Sequence, residues 1–261
     1  MTRSCFYDWR KSRHKVNTSK LLLQQIEQIH ARSRQTYGSP RVHACLRQAG
    51  QKIGRKRVAR LMRQAGLKGR ERKRYRICTT DSAHAYPIAP NRLYHTPPPA
   101  RPDKVWVSDI TYIPTDEGWL YLAGVLDRGS RYLVGWAMGA TLETALPLAA
   151  LMMALRHRHL SEGAIHHSDR GVQYASLAYR DLLHQHHINA SMSRPGNCYD
   201  NAVMESFWST LKHELIYRQR FATRAQAQAA IFEYIECFYN RIRLHSSLGY
   251  KSPLDYESSL N

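Results

Sequence analysis

The run Val105–Ile113 (VWVSDITYI) decides how the second part of this chain folds. Its β-branched and aromatic residues predict a strand. Asp109 interrupts the run in the middle. An ionised carboxylate inside a hydrophobic strand is costly to bury unless it is paired or binds a metal ion. The stretch therefore predicts one strand of a sheet and marks Asp109 as a residue with a chemical role.

Alternating patterns continue on the C-terminal side of this strand. The runs Val105–Pro114, Trp119–Asp127 and Arg131–Gly139 are separated by short turns and predict an antiparallel meander. Helices are then expected near Glu143–His157 and Leu177–His187, strands near Ala164–Ser168 and Ile188–Ser191, and two long helices near Asp200–Tyr217 and Arg224–Arg243. Three strands followed by alternating helices and strands predict an α/β sheet covered by helices.

Two further acids qualify as partners of Asp109. Asp169 ends a short predicted strand and is followed by Arg170 and Gly171, a placement typical of the rim of a sheet. Glu205 lies on the helix expected at Asp200–Tyr217, away from the apolar residues predicted to be buried, which are Val203, Phe207, Leu211 and Leu215. Three carboxylates of this kind suit a pair of Mg²⁺ or Mn²⁺ ions, because hard cations prefer oxygen ligands.

Other polar residues have simpler interpretations. Each of the three acids also has a simpler interpretation when taken singly. Asp109 could pair with a core arginine, Asp169 could cap a turn, and Glu205 could be a surface acid. Asp127 is a rival acid for which a turn role is favoured. Acids expected to be solvated are Asp116, Glu117 and Glu214, and Asp200 or Asn201 is expected to cap the Glu205 helix. The numerous histidines, His166 and His167 among them, are interpreted mainly as surface residues or contacts to the DNA backbone.

The N-terminal part of the chain predicts a helix-turn-helix. Leu22, Ile26 and Ile29 repeat at helical spacing, Ser39 and Pro40 resemble a helix start, and glycines at 50 and 66 resemble helix ends. The alternative is an ordinary helical hairpin with a solvated basic face. Side chains expected to contact DNA are Arg55, Lys56, Arg57, Arg60, Arg63, Arg72, Lys73 and Arg74. Lys212, two turns after Glu205, is expected to hold DNA beside the acidic site; the alternative is an exposed lysine paired with Glu214 or Asp181.

Charge is distributed very unevenly along the 261 residues. The net charge is +19, and residues 1–80 contain 22 Lys and Arg against three Asp and Glu, whereas residues 81–261 contain 17 of each. A basic block attracts nucleic acid by releasing its counterions. No apolar run is long enough for a membrane span, and the five cysteines form no metal-binding or disulfide pattern, so we expect a cytoplasmic DNA-binding protein without structural zinc. Residues 1–76 are assigned to a DNA-binding domain, 77–103 to a proline-rich linker and 104–261 to a catalytic core with a helical extension.

Several motifs together resemble one known family. They surround the first aspartate at 106–113, the second at 167–174 and the glutamate at 191–207, with 35 residues between Asp169 and Glu205, and a C-terminal signature occupies 239–253. The chain resembles the integrase-like DDE transposases of insertion sequences, most of all the second-frame proteins of the IS-three family. The resemblance implies an RNase H-like core and an Asp109, Asp169 and Glu205 triad. It also implies cleavage and 3′-hydroxyl strand transfer at the element ends, with two divalent ions per site.

The same resemblance implies partners and leaves alternatives open. Expected partners are double-stranded DNA at the element ends and target, further copies of the chain on DNA, and an upstream-frame protein that this family often carries as a fusion. No heptad run precedes the basic block, so that upstream part is not expected in this chain. The alternatives are another nuclease on the same fold and a catalytically inactive DNA-binding repressor.

Overall fold

The computed structural model describes residues 2–70, 86–94, 96, 97, 99–194 and 201–260, and side chains only outside 8–18. The chain divides into two compact units, Met1–Arg72 and Lys73–Asn261. The proline-rich segment up to residue 103 belongs to the second unit. No helix within the described ranges is long and apolar enough to cross a membrane.

The first unit is all-helical. Helices α1 (Arg3–Arg32), α2 (Ser39–Gln48) and α3 (Arg55–Gln64) follow one another, and α2 and α3 flank a glycine-bearing turn. α1 begins about 15 residues earlier than the apolar repeat indicates, because no glycine or proline interrupts the chain before Gly38. Gly38, not Ser39, precedes the first turn of α2, so Ser39 already belongs to the helix.

A small core and two glycine caps hold the first unit together. Val42 and Leu46 of α2 pack with residues of α1 and α3, and the buried residues of those helices are Leu22, Ile26, Val58, Leu61 and Met62. Gly50 and Gly66 have φ of 80° and 68°, so each ends its helix in the left-handed region as expected. The amide of Gln51 donates to Leu46 O at 2.9 Å and that of Leu67 to Met62 O at 2.8 Å, which completes both caps.

The second unit is built on a five-stranded mixed sheet. Its strands are β1 (Val105–Thr115), β2 (Gly118–Asp127), β3 (Leu133–Gly139), β4 (Ile165–Ser168) and β5 (Asn189–Met192), in the spatial order β3-β2-β1-β4-β5. The first three strands pair antiparallel and form the predicted meander, whereas β4 and β5 add in parallel beside β1. The predicted mixed sheet with flanking helices is confirmed.

Helices cover the sheet. They are α4 (Ala145–His157), α5 (Val172–Ala175), α6 (Leu177–Gln185), α7 (Ala202–Glu214), α8 (Arg224–Glu233) and α9 (Pro253–Ser258). α8 continues into a π-helical turn, Tyr234–Tyr239, so the last long helix ends earlier than its pattern indicates. Trp106 of β1, Leu151 of α4 and Tyr179 of α6 share one buried cluster. α7 and α8 pack against β1 and β2 respectively.

Asn240 joins the C-terminal part to the sheet. Its side-chain amide donates to Leu133 O at 3.2 Å and its carbonyl accepts from Leu133 N at 2.9 Å. β3 is an edge strand of the sheet, so these bonds satisfy backbone groups of Leu133 that a further strand would otherwise pair. The segment after α8 is thereby held at the end of the meander.

Candidate active site

Asp109 lies in the centre of β1 with both carboxylate oxygens engaged. Oδ1 accepts from the amide of Ile110 at 2.9 Å, and Oδ2 accepts from the indole N–H of Trp208 at 3.0 Å. The residue is only half-buried. Among the described residues, no arginine hydrogen-bonds to Asp109 or contributes to its pKa shift. The interpretation of Asp109 as half of an ion pair therefore gains no support. Both oxygens of the carboxylate are therefore oriented by neutral donors.

Asp169 is brought next to Asp109 by the parallel pairing of their strands. Val107 pairs with His167, and each aspartate lies two residues beyond that pair. Oδ1 of Asp169 accepts from the amide of Gly171 at 2.9 Å. A Cβ at Gly171 would lie 3.1 Å from the same oxygen, so glycine leaves room for this turn. The turn therefore fixes Asp169 at the rim of the sheet.

Glu205 projects from the first turn of α7. The buried residues of this helix include Met204, Phe207, Trp208 and Leu211, whereas Glu205 is exposed. Phe207, Leu211 and Leu215 are buried as the sequence predicts, whereas Val203 is only half-buried. Asn201 precedes the helix without a side-chain cap, and Asp200 lies outside the described residues.

Gly124 determines how closely α7 approaches the sheet. It pairs with Asp109 across β1 and β2. A Cβ at this glycine would lie 2.7 Å from Met204 Cε and 3.0 Å from Trp208 Cη2. The glycine leaves room for both side chains, so α7 can pack closely against the sheet.

The electrostatics of Asp109 link the three acids. Its pKa is raised to about 7, first by burial, then by the negative charge of Asp169 and, least, by that of Glu205, while its bonds from Ile110 and Trp208 oppose the rise. The charges of Asp169 and Glu205 thus both act on Asp109. A divalent cation would offset their mutual repulsion.

The donor set fits a hard divalent cation, although it is not a closed cage. Carboxylate oxygens suit Mg²⁺ and Mn²⁺. Within the described ranges, no three His, Cys, Asp or Glu side chains are gathered closely enough to hold a metal ion as a group.

Lys212 lies beside this group of acids. Its Nζ is 5.0 Å from the ring centroid of Tyr112. Burial lowers the pKa of Lys212, and the charge of Asp109 partly opposes that change. Glu214, one of the acids considered as its partner, makes an ion pair with Arg243 at 2.7 Å.

The basic side chains of α3 form one exposed face. Val58, Leu61 and Met62 are buried, whereas the side chains expected to contact DNA are exposed at Arg55, Lys56, Arg57, Arg60 and Arg63. One of them, Arg57, donates to Ser19 Oγ at 3.2 Å. Arg72, Lys73 and Arg74 lie outside the described residues.

Three polar residues expected at the surface lie in the interior. His166 bonds to Ser108 Oγ at 2.7 Å and to the hydroxyl of Tyr179 at 3.0 Å, and burial lowers its pKa to about 3. His167 bonds to Ser191 and Ser193 at 2.9 Å each. A short strand buried on both faces explains both positions.

Glu214 is the third of these residues. It is 6% exposed rather than solvated, and it accepts from Arg243 and from the hydroxyl of Tyr234. Its partners lie 20 and 29 residues further along the chain, so nothing near Glu214 in the sequence indicates a buried ion pair.

Asp127 has the turn role that the sequence favours. Its Oδ1 accepts from the amide of Ser130 at 2.6 Å, and Oδ2 accepts from the amide of Asp103 at 2.7 Å. It closes the turn after β2 and holds the chain that enters β1.

Sequence reasoning missed Trp208, Gly124 and Asn201 as residues that shape the site. Trp208 could have been found from its spacing. It follows Glu205 by three residues, and residues three apart are neighbours on the surface of a helix. The amide of Asn201 donates to Ser108 O at 3.4 Å, next to Asp109. Gly124 carries no signal of its own, since a glycine in a strand does not reveal what approaches it.

Comparison with known proteins defines the class of this chain. Residues 99–198 and 186–253 match models of the integrase core domain, and residues 18–75 match a model of an HTH-like domain. The simian T-cell lymphotropic virus intasome, in complex with the PP2A regulatory subunit B56 gamma, has a similar fold. Its TM-score is 0.52 at 14% identity, over 89% of this chain and 74% of that one. Fold and domains are those of a DNA polynucleotidyl transferase with an N-terminal helix-turn-helix.

Full-length relatives define the family. The IS600 uncharacterized 31 kDa protein of Shigella sonnei is 46% identical over 256 residues, which cover 97% of this chain and 93% of that protein. The InsF transposase of insertion sequence IS3A from Escherichia coli K12 is 39% identical over 262 residues, covering 99% and 91%. The chain belongs to the IS3-family insertion-sequence transposases.

Proposed function

We propose that Asp109, Asp169 and Glu205 are the catalytic carboxylates of this transposase and hold two Mg²⁺ or Mn²⁺ ions. The observation that carries the proposal is the parallel pairing of β1 with β4, which sets Asp109 and Asp169 two residues beyond the same pair, with Glu205 on α7, the helix that packs against β1. The charges of both other acids also help to raise the pKa of Asp109. When bound, the ions activate the attacking water or 3′-hydroxyl and stabilise the leaving oxygen. The reaction is cleavage at the element ends followed by strand transfer.

The protein side chains have separate tasks in this proposal. Trp208 and the amide of Ile110 orient Asp109, and the amide of Gly171 orients Asp169. Lys212 contacts a DNA phosphate beside the acids. The exposed basic face of α3, together with Arg72, Lys73 and Arg74, holds the duplex at the element end.

We also infer the partners of the reaction. Double-stranded DNA is the substrate, and a synapse of two ends requires more than one copy of the chain. An upstream-frame protein of the same element is a further partner. Because its substrate is bacterial DNA, the chain works in the cytoplasm.

Replacing Glu205 tests the proposal. Glu205→Gln keeps the shape and removes one charged ligand, so cleavage and strand transfer should fall at least about a thousandfold while affinity for the element end stays within about twofold. Purified chain is incubated with a terminal inverted-repeat duplex, target DNA and Mg²⁺, and products are resolved by size. Glu162→Gln, an exposed acid between α4 and β4, is the matched control.

The outcomes separate the alternatives. A Glu205→Gln protein with wild-type activity removes Glu205 from the site. Cleavage without joined products from the wild-type chain indicates a simple nuclease, and end binding without any product indicates a repressor.

A further inference from the structure

A row of one cation and two aromatic rings runs from the acidic site along the hairpin of β1 and β2. Tyr112 follows Asp109 by three residues, and Lys212 Nζ is 5.0 Å from its ring centroid. The ring of Trp119 meets that of Tyr112 edge-on, with centroids 4.9 Å apart and planes at 79°. Lys212, Tyr112 and Trp119, called the aromatic row below, are thus in consecutive contact.

The outer end of the aromatic row is open. Trp119 is 49% exposed, although tryptophan is one of the largest apolar side chains. Tyr112 is half-buried beneath it. An exposed ring backed by a second ring has one free surface on which another flat group can stack.

The hairpin that carries Trp119 is held firmly. Arg224 Nε donates to Trp119 O at 3.0 Å, and the amide of Arg224 donates to Glu117 at 2.8 Å. The amide of Asp116 donates to Phe221 O at 3.0 Å. These bonds tie the β1–β2 turn to the chain that enters α8, so the ring of Trp119 is presented by a fixed backbone.

The end of the aromatic row at Lys212 lies beside the acidic residues of the proposed active site. Lys212 lies on α7, seven residues after Glu205, and its Nζ is 5.0 Å from the ring centroid of Tyr112, which lies three residues after Asp109 on β1. A DNA strand that ran from a reacting phosphate at Asp109 along this hairpin would pass Lys212 and the two rings. A cation followed by aromatic surfaces is the arrangement with which proteins hold unpaired nucleotides.

We propose that the aromatic row binds unpaired nucleotides next to the reacting phosphate, with Trp119 stacking on a base and Lys212 contacting the backbone. This inference rests on the proposed function, because it places the reacting phosphate at Asp109. Stacking accepts any base, since every base has a flat face, so the contact adds affinity without reading sequence. Its role is to hold frayed DNA open at the site.

A binding experiment with two matched DNAs tests the aromatic row. One is a blunt duplex of about 20 base pairs, and the other is the same duplex with about five unpaired thymidines. The full chain is titrated by fluorescence anisotropy in EDTA, so that no cleavage occurs. Trp119→Ala should lower affinity for the tailed duplex about tenfold and leave the blunt duplex unchanged. Trp119→Phe should restore most of the loss.

Removing the bases provides the second arm. Abasic residues in the tail should weaken wild-type binding about as much as Trp119→Ala does, and should have little further effect on that variant. Lys212→Ala should instead reduce the salt dependence of affinity for the thymidine tail and for the abasic tail alike. Phe232→Ala is the control, because Phe232 is 52% exposed on α8 and packs against Trp136.

Equal affinity of Trp119→Ala and wild type for the tailed duplex overturns the proposal, as does an equal loss on the blunt duplex. A changed oligomeric state with unchanged DNA preference also overturns it and assigns Trp119 to a contact between copies. The assay needs no catalysis. Retained activity in Glu205→Gln would therefore contradict the proposed triad. Unchanged DNA affinity in Trp119→Ala would contradict only the proposal for the aromatic row.

Discussion

At the scale of single residues, the bond between Trp208 and Asp109 joins the helix of one proposed ligand to the strand of another. The indole N–H donates to Oδ2 at 3.0 Å, and Trp208 is almost fully buried. A hydrogen bond to a charged acceptor contributes about 1.5–3 kcal/mol when buried. Trp208 is therefore a positioning residue for both Asp109 and α7.

We expect Trp208→Phe to keep the packing and lose the donor. Asp109 should then be less well oriented, so the Mg²⁺ concentration for half-maximal strand transfer should rise several-fold and the maximal rate should fall about tenfold. The measurement is a metal titration of strand transfer. Trp136→Phe is the control, since Trp136 donates to Glu236 at 2.8 Å in the same unit. An unchanged metal requirement in Trp208→Phe would contradict the positioning role.

The raised pKa of Asp109 predicts that the free energy of unfolding depends on pH. Its pKa is about 7 in the folded chain, against a reference value of 3.8. The folded state therefore holds this proton more tightly, and the resulting stability is full below about pH 4 and is lost as the pH rises through about 7. In EDTA, the free energy of unfolding in urea should fall for the wild type between about pH 4 and pH 7. It should fall less for Asp109→Asn. Saturating Mg²⁺ should reverse the trend, because it binds the ionised form. Parallel curves for the two proteins would refute the assignment.

At the scale of elements, the site depends on how closely α7 packs on the β1–β2 pair. Gly124 faces Asp109 in the register and makes room for Met204 and Trp208. At the other end of α7, Glu214 is paired with Arg243 in the C-terminal segment. The helix is thus held at both ends, and its first turn carries Glu205.

Gly124→Ala should push α7 away from the sheet. Overpacking of this kind costs about 1–3 kcal/mol, and the displacement of Glu205 should reduce strand transfer by more than the stability loss explains. Activity is measured well below the melting temperature and compared with Gly139→Ala. At Gly139 the added Cβ would meet Leu146 Cδ1 at 3.3 Å and Thr141 O at 3.7 Å, so no contact is shorter than 3.0 Å. Equal activity in the two variants would show that the approach of α7 does not matter.

At the scale of the whole molecule, charge and chemistry occupy different units. Residues 1–80 carry the whole net charge of +19, and the acids with a proposed catalytic role follow residue 104. The division between Met1–Arg72 and Lys73–Asn261 separates these two properties. Attraction to DNA and strand chemistry can therefore be studied apart.

Deleting Met1–Arg72 should remove most of the DNA affinity and its dependence on salt. The slope of log affinity against log salt follows the number of phosphates neutralised, so it should become shallower. Anisotropy titrations from about 50 to 200 mM salt measure it. A cooperative melting transition in the shortened chain is the required control. If the slope is retained, the catalytic unit itself supplies the phosphate contacts.

Local patterns determined much of this fold. The alternation in β1 to β3, the glycines that end α2 and α3, and the apolar helices each depend on near neighbours in the chain. The family motifs also identified Asp109, Asp169 and Glu205 as candidates, because each lies in a recognisable local stretch of sequence.

Only the tertiary structure decided which residues support those acids. Trp208 is 99 positions from Asp109, Arg243 is 29 from Glu214, and His166 meets Ser108 across two strands. A polar side chain in a sequence resembles a solvated one until its distant partner is known. Burial, hydrogen bonding and pKa are properties of such pairs, and chain folding, not local pattern, determines them.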